Sequence, residues 1–171
     1  GHINGIETTT GPLGQGLGNA VGMALMERLL ANEFGNKMCN HFTYVIASDG
    51  DLMEGISHEA ASFAGHQKLN KLIVFFDDNG ISIDGPVKLS NSEKTIDRFK
   101  SYNWNTIKIN GHKVDEIEKA IKKAQKSSKP TIISCKTKIG YGSPNKQGKS
   151  SSHGSPLGIC LLYTSPSPRD T

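Results

Sequence analysis

The segment VIASDGDLMEG, residues 45–55, largely decides which fold this chain adopts. Its first residues are apolar, as in a buried strand, and Asp49, Gly50 and Asp51 follow soon after. In a parallel α/β sheet, ligands bind at the carboxyl ends of the strands, where loops share one edge. Three roles are open to the acidic residues: they bind a metal, cap a helix or end the strand.

Four short runs rich in β-branched and aromatic residues predict strands: TYVIAS (43–48), LIVFFD (72–77), WNTIKI (104–109) and TIISCK (131–136). Each has the length of a strand buried on both faces. Helical patterns alternate with these runs, at 17–34, 57–69, 92–102 and 114–126. The alternation predicts an α/β fold, with a parallel sheet and helices on both faces.

Composition narrows the classes of partner. The 171 residues fit one domain, and 20 Lys+Arg against 16 Asp+Glu give a formal charge of +4. The lysines of residues 113–129 lie on the solvent-exposed face of an amphipathic helix, and no aromatic residues alternate with them. We therefore expect no nucleic-acid partner. No apolar run approaches membrane-span length, so we expect no membrane partner. Three widely spaced cysteines indicate a reduced, cytoplasmic protein.

A second acidic turn, Asp77-Asp78-Asn79-Gly80, follows the next strand. If the two strands are neighbours at about 4.8 Å, Asp49 and Asn79 converge at one edge. Two such oxygens are too few to hold Mg²⁺ by themselves. In proteins this ion usually takes further oxygens from the phosphates of a bound ligand. We therefore expect a diphosphate ligand, which backbone N–H groups can approach at Gly50. Asp51 is expected to be a bystander that does not bind the ligand. The alternative is a plain pair of turns.

A third feature is ETTTGPLGQGLGNAVGMA, residues 7–24, which is neither a GxGxxG nor a Gly-Lys-Ser/Thr phosphate loop. It predicts a small-residue helix that begins near Gly14. Gly11, Pro12 and Leu13 before it form a rigid apolar surface against which a flat ring can lie. The alternative is a tight loop and a closely packed helix without a ligand.

Five motifs in order resemble the transketolase family, covering nearly all of residues 5–158: TTTGPLGQG, SDGDLMEGISHEA, DDNGISIDG, KTKIGYGSPNKQG and SHGSPLG. The spacing from Asp49 to Asn79 is similar to the thiamine diphosphate fingerprint of that family. The resemblance implies the thiamine diphosphate-binding fold. One departure is Ser48, which stands where the family usually has glycine.

The resemblance also implies a cofactor site. Thiamine diphosphate would bind with Mg²⁺, for which Ca²⁺ or another divalent cation can substitute. The implied metal ligands are Asp49, Asn79 and the backbone carbonyl of Ile81. The implied cofactor-binding residues are Gly11, Pro12, Leu13, Gly50, Asn79 and His153.

By the same resemblance, His153 is the catalytic residue that reaches both cofactor and sugar. Glu54 and Glu59 match acidic positions near a homodimer interface. The implied reaction moves a two-carbon ketol unit from a ketose phosphate to an aldose phosphate, so the partners are sugar phosphates. His2 is not the substrate histidine of the family, His58 is expected to pack in a first helical turn, and His41, His66 and His112 receive no role.

We expect residues 1–158 to be part of a transketolase diphosphate-binding domain, truncated at its start and inactive alone. The amino-terminal histidines of the family, and the second domain whose glutamate protonates the cofactor, are missing. Residues 159–171, ICLLYTSPSPRDT, are either a non-native junction or reading-frame artefact, or a loose tail. Two alternative functions stay open: a related enzyme such as dihydroxyacetone synthase, and a non-catalytic Mg²⁺-diphosphate binding fragment.

Overall fold

A computed structural model describes residues 3–158, so His2 and the predicted tail at 159–171 lie outside the described residues. The helices are α1 (Gln15–Phe34), α2 (Asp49–Met53), α3 (Gly55–His66), α4 (Thr95–Ser101) and α5 (Val114–Ala124). The strands are β1 (Thr43–Ser48), β2 (Leu72–Asp78), β3 (Ile81–Ser82), β4 (Gly85–Pro86), β5 (Asn105–Asn110) and β6 (Thr131–Lys136). All four predicted strands and all four predicted helices are present, with small shifts at some ends.

The main sheet has four parallel strands in the order β1-β2-β6-β5. In the register of β1 and β2, Thr43 pairs with Leu72 and Ser48 pairs with Asp77. The strands before the two acidic turns are therefore neighbours, as the sequence predicted. Both turns leave the sheet at its carboxyl edge.

Helices cover both faces of this sheet, which confirms the predicted fold class. On one face, buried residues of α1, α3 and α4 pack with Val74, Phe76 and Ile132 in one apolar cluster. On the other face, Ala120 and Ala124 of α5 pack against residues of β2 and β6. Helix α5 has acidic residues in its first turn and lysines in its last turn, which complements the helix dipole.

The expectation that every strand is buried on both faces is wrong for the two edge strands. In β1, Tyr44 and Ile46 point away from the α1 side and are exposed, with Ile46 at 80%. In β5, Lys108 and Asn110 are exposed. The sequence pattern gives a strand's length but not its position in the sheet, so edge strands were not distinguished.

The chain divides into two compact units. The first runs to Asp78 and resumes at Glu93–Lys136, and it holds the four-stranded sheet and all five helices. The second comprises Asn79–Ser92 and the chain from Thr137, and its described part contains the β3-β4 hairpin and a 3-10 helix at Ser150–Ser152. Among residues 3–158, no helix has the length and apolar character to cross a membrane.

Candidate functional site

The carboxyl ends of β1 and β2 bring acidic side chains to one edge of the first unit. Asp49 is the first residue of α2, directly after β1, and Asp78 is the last residue of β2. Asp78 accepts hydrogen bonds from Ser134 Oγ at 3.1 Å and Lys136 Nζ at 3.0 Å, which tie it to β6. The edge that the sequence predicted as a ligand site is therefore acidic and ordered by bonds to β6.

A cavity of about 280 Å³ opens at this edge within the first unit. Its lining mixes carboxylates with two lysines: Asp49, Phe76, Asp78, Glu93, Lys94, Thr95, Ile96, Asp97 and Lys108. A hydrogen bond from Lys100 to Asp97 keeps the pKa of that carboxyl below its ordinary value, so it stays ionised at neutral pH. Asp49 therefore borders a polar space that a small charged ligand can enter.

The predicted ring-binding segment lies beside the predicted diphosphate turn. A Cβ built on Gly50 would lie 3.4 Å from Cδ1 and 3.9 Å from Cδ2 of Leu13. Gly11, Pro12 and Leu13 are all exposed, with Leu13 at 52%. The structure thus brings together two motifs that are nearly forty positions apart in sequence, and it leaves the apolar segment accessible.

Asp51 is not a bystander, which corrects the interpretation from the sequence. Its Oδ2 accepts hydrogen bonds from the backbone N–H and from Oγ of Ser48, both at 2.8 Å. Its Oδ1 accepts the backbone N–H of Gly14 at 3.1 Å, and its carbonyl accepts the hydroxyl of Ser57. The spacing Ser48-x-x-Asp51 is that of a capping box, so the contact with Ser48 had a visible signal in the sequence.

The other two predicted metal ligands lie in the second unit. Asn79 Oδ1 accepts the backbone N–H of Ile81 at 2.9 Å, which fixes the turn after β2. Ile81 pairs with Pro86 in the β3-β4 hairpin. Since Asp49 belongs to the first unit, coordination of one ion by Asp49, Asn79 and Ile81 stays a prediction.

His153 follows the 3-10 helix of the second unit and is exposed. Its backbone N–H donates to Ser150 O at 2.8 Å. Nearby, Gly140 has φ +61° and packs against the buried Ser152. The histidine ring is therefore presented on an ordered turn, and its predicted contact with cofactor and sugar stays a prediction.

The structure gives His58 the packing role that the sequence predicted. Its Nε2 lies 2.6 Å from a guanidinium nitrogen of Arg98, and its Nδ1 lies 3.4 Å from the hydroxyl of Tyr102. Arg98 also donates to Leu52 O at 2.7 Å, so it joins α4 to the end of α2. Of the histidines without an assigned role, His41 has its Nδ1 3.8 Å from Cys39 Sγ.

Among the described residues, no group of three or more His, Cys, Asp or Glu side chains is arranged to hold a metal ion. The expected site would contain only one side chain of these types, a carboxylate, together with an amide, a backbone carbonyl and the phosphates of the ligand. It therefore would not form such a group. The donors are hard oxygens, the type that Mg²⁺ and Ca²⁺ prefer. Gly50 has no side chain to obstruct a ligand, and donors of these chemical types suit a metal-bound diphosphate.

Known proteins resemble this chain closely over the same residues. The family model described as "Transketolase, thiamine diphosphate binding domain" matches residues 1–160. The transketolase of Staphylococcus epidermidis is 58% identical over 161 residues, which cover 92% of this chain and 24% of that protein. The transketolase of Sinorhizobium medicae is 51% identical over 158 residues, covering 92% and 23%.

Solved structures agree with this match. The crystal structure of transketolase from Campylobacter jejuni superposes with a TM-score of 0.88 at 45% identity, covering 90% of this chain and 24% of that one. Transketolase from Leishmania mexicana gives a TM-score of 0.85 at 44% identity, with the same coverage. The chain spans about a quarter of the length of these relatives. The fold, the motifs and the family match agree, and the chain belongs to the thiamine diphosphate-binding domain family of transketolases.

Proposed function

We propose that residues 1–158 form the diphosphate-binding part of a transketolase that transfers a two-carbon ketol unit from a ketose phosphate to an aldose phosphate. The observation that carries the proposal is that the Leu13 side chain lies next to Gly50, where a built Cβ would be 3.4 Å from Leu13 Cδ1, in a chain of this family. The relatives are about four times as long, so the activity belongs to a complete enzyme and the chain alone is expected to be inactive. A cytoplasmic location remains a prediction from the cysteine pattern.

In this proposal, Asp49, Asn79 and the carbonyl of Ile81 hold Mg²⁺, or Ca²⁺ in its place. Asn79 Oδ1 accepts the backbone N–H of Ile81, which orients the amide at the turn after β2, and an amide oxygen is a hard donor of the type that Mg²⁺ takes. Gly50 offers backbone N–H to the diphosphate. The metal neutralises the diphosphate charge, so the binding of the two is expected to be coupled.

Gly11, Pro12 and Leu13 would bind the ring system of thiamine diphosphate. When bound, the cofactor supplies a stabilised carbanion, which the protein cannot generate from its own side chains. The exposed Leu13 supplies an apolar contact, and Pro12 keeps the backbone rigid. His153 would exchange a hydrogen bond or a proton with the sugar, because the two ring nitrogens of an imidazole can donate and accept.

We further propose that the complete enzyme is a homodimer that uses the outer faces of α1 and α3. Both helices expose apolar side chains at helical spacing: Met26 at 53% and Leu29 at 51% on α1, and Ile56 at 49% and Phe63 at 42% on α3. Glu59 lies on the same face of α3. An apolar stripe with few charges suits a protein interface better than it suits water.

The test uses a chimeric enzyme, in which the matching residues of this chain replace the aligned segment of the Staphylococcus epidermidis transketolase. We expect the chimeric enzyme to bind thiamine diphosphate in a Mg²⁺-dependent way, measured by calorimetry, and to transfer ketol units between sugar phosphates. Asp49→Asn should weaken cofactor binding by at least roughly 10- to 100-fold, the usual cost of an outer-shell substitution. The reason is that it replaces the one carboxylate among the proposed ligands by a neutral amide, which holds Mg²⁺ less strongly.

The matched control is Asp115→Asn on α5, whose carboxylate makes an exposed ion pair with Lys119 at 3.6 Å. It removes one negative charge far from the strand edge and should leave cofactor affinity unchanged. Wild-type affinity in the Asp49→Asn variant would refute the metal assignment. Mg²⁺-dependent cofactor binding without ketol transfer would favour the alternative of a non-catalytic diphosphate-binding module.

A further inference from the structure

The carboxylate of Asp51 connects two segments that the sequence treats separately. One oxygen accepts both donors of Ser48, the last residue of β1, and the other accepts the N–H of Gly14, the residue that precedes α1. Gly14 directly follows the segment Gly11–Leu13, and Ser48 comes directly before Asp49 and Gly50. One side chain therefore joins the proposed ring-binding segment to the proposed diphosphate turn.

The geometry of Gly14 makes this connection specific. Its φ is +79°, a left-handed conformation that points its N–H at Asp51, and it is buried against the first turn of α3. A backbone N–H at the start of a helix has no partner within the helix, so it needs an acceptor from elsewhere. An ionised carboxylate is the strongest acceptor among side chains, and the positive end of the helix dipole favours it there.

The backbone of Asp51 adds a third connection. Its carbonyl accepts the hydroxyl of Ser57, a residue of α3 that is only 1% exposed. The Gly11–Leu13 segment is exposed, whereas Gly14 and Ser57 are buried and Ser48 is partly buried. Asp51 thus links an exposed loop segment to the carboxyl end of β1 and to α3.

We propose that Asp51 is a positioning residue that fixes the Gly11–Gly14 segment against the Asp49–Gly50 turn before the cofactor binds. The inference rests on the proposed function, because the two segments are the ones assigned to ring and diphosphate. It deepens that function by naming a residue outside the proposed ligand set. Preorganisation of this kind raises affinity by removing the cost of ordering the loop upon binding.

The experiment compares Asp51→Ala, Asp51→Asn and the control Asp115→Ala in the chimeric enzyme. The first readout needs no cofactor: hydrogen exchange of the peptide that contains Gly11–Gly18, followed by mass spectrometry. We expect faster exchange in Asp51→Ala and wild-type exchange in Asp115→Ala. Asparagine keeps the size and one acceptor oxygen, so Asp51→Asn should fall between them.

The second readout is the dissociation constant of thiamine diphosphate at saturating Mg²⁺, by calorimetry. We expect it to rise by about 10- to 100-fold in Asp51→Ala, as for other outer-shell substitutions, with kcat at saturating cofactor nearly unchanged. A purely structural role would lower the yield or the thermal stability but leave the affinity of the folded enzyme as it was. If Asp51→Ala does not fold, Asp51→Asn supports the same comparison.

Wild-type affinity together with wild-type exchange in the folded variants would overturn the proposal. Faster exchange with unchanged affinity would also overturn it, because the loop would then be ordered without benefit to binding. Failure of the unsubstituted chimeric enzyme to bind the cofactor is a separate result, which rejects the proposed function and this inference together. The two failures are therefore distinguishable.

Discussion

Replacing Gly65 by alanine tests how closely α3 approaches the turn that leads into β5. Gly65 is the second-last residue of α3 and is buried. A Cβ built on it would lie 1.8 Å from the carbonyl oxygen of Tyr102 and 3.0 Å from Cδ1 of Trp104. An ordinary contact of this kind is 3.4–4 Å, so the helix and the turn must separate to admit one methyl group.

The cost of that separation can be worked from the contacts it disturbs. Trp104 is 4% exposed, its Nε1 donates to Ala61 O of α3 at 2.8 Å, and its ring meets Phe99 edge-on at 5.0 Å. Overpacking typically costs about 1–3 kcal/mol and a lost hydrogen bond about 1 kcal/mol. Alanine returns about 1 kcal/mol as the better helix former. We expect a net loss of about 1–3 kcal/mol in the free energy of unfolding.

Trp104 is the only tryptophan, so its fluorescence reports urea unfolding of the 171-residue chain directly. At a slope of about 2 kcal/mol per M, the Gly65→Ala midpoint should fall by roughly 0.5–1.5 M. The matched control is Gly22→Ala in α1, because Gly22 is exposed and no described atom lies within 4 Å of its built Cβ. There alanine should raise stability by up to about 1 kcal/mol. A Gly65→Ala midpoint equal to or above wild type, at unchanged slope, would refute the reasoning.

Two further predictions concern groups buried in the first unit. Lys71→Met should destabilise the chain by about 3 kcal/mol, because it leaves Glu27, which is 3% exposed, without its 2.5 Å ion pair. The double variant Glu27→Leu/Lys71→Met should recover most of that loss in urea unfolding, and equal losses in both would contradict this. Burial, with Asp77 and Asp78 nearby, raises the pKa of the Cys135 thiol to about 11, so iodoacetamide at pH 8 should modify Cys135 only in denaturant. The native state then holds the thiol proton more tightly than the unfolded state, whose thiol keeps its ordinary pKa of 9.0. The free energy of unfolding should therefore fall as the pH rises from 9.0 to about 11. Labelling of Cys135 in the native chain at the unfolded rate would argue against both the protected thiol and this pH dependence.

The strands could be predicted from sequence because their β-branched runs are short and sharply bounded. The bounds of β1 and β6, Thr43–Ser48 and Thr131–Lys136, match the predicted runs at both ends. The order of the strands depends on crossovers and on contacts distant in sequence, so the exposure of Ile46 on edge strand β1 was not predictable from its own neighbours. Helix α2 was missed because five residues are too few to show a helical period.

In the candidate site, too, some features could be predicted from neighbouring residues in the sequence and others could not. Asp49 at the carboxyl end of β1 was predictable, because strand, acidic residue and glycine follow one another in sequence. The bond of Asp51 to Ser48 had a local signal three residues apart, whereas its bond to Gly14 spans 37 positions. No local pattern contains a contact at that distance, and it is this contact that gives Asp51 its proposed role.

Two glycines of TTTGPLGQG, Gly11 and Gly14, differ in whether the fold itself requires glycine at that position. Gly14 must be glycine for the fold, since its φ is +79° and a Cβ there would lie 2.8 Å from Ile56. Gly11 has no such need: its φ lies outside the left-handed region, and no described atom lies within 4 Å of its built Cβ. Alanine would therefore fit at position 11 in the chain as described. In the proposed site, glycine at this exposed position would allow a flat ring to lie close against the backbone, where a larger side chain would keep it away.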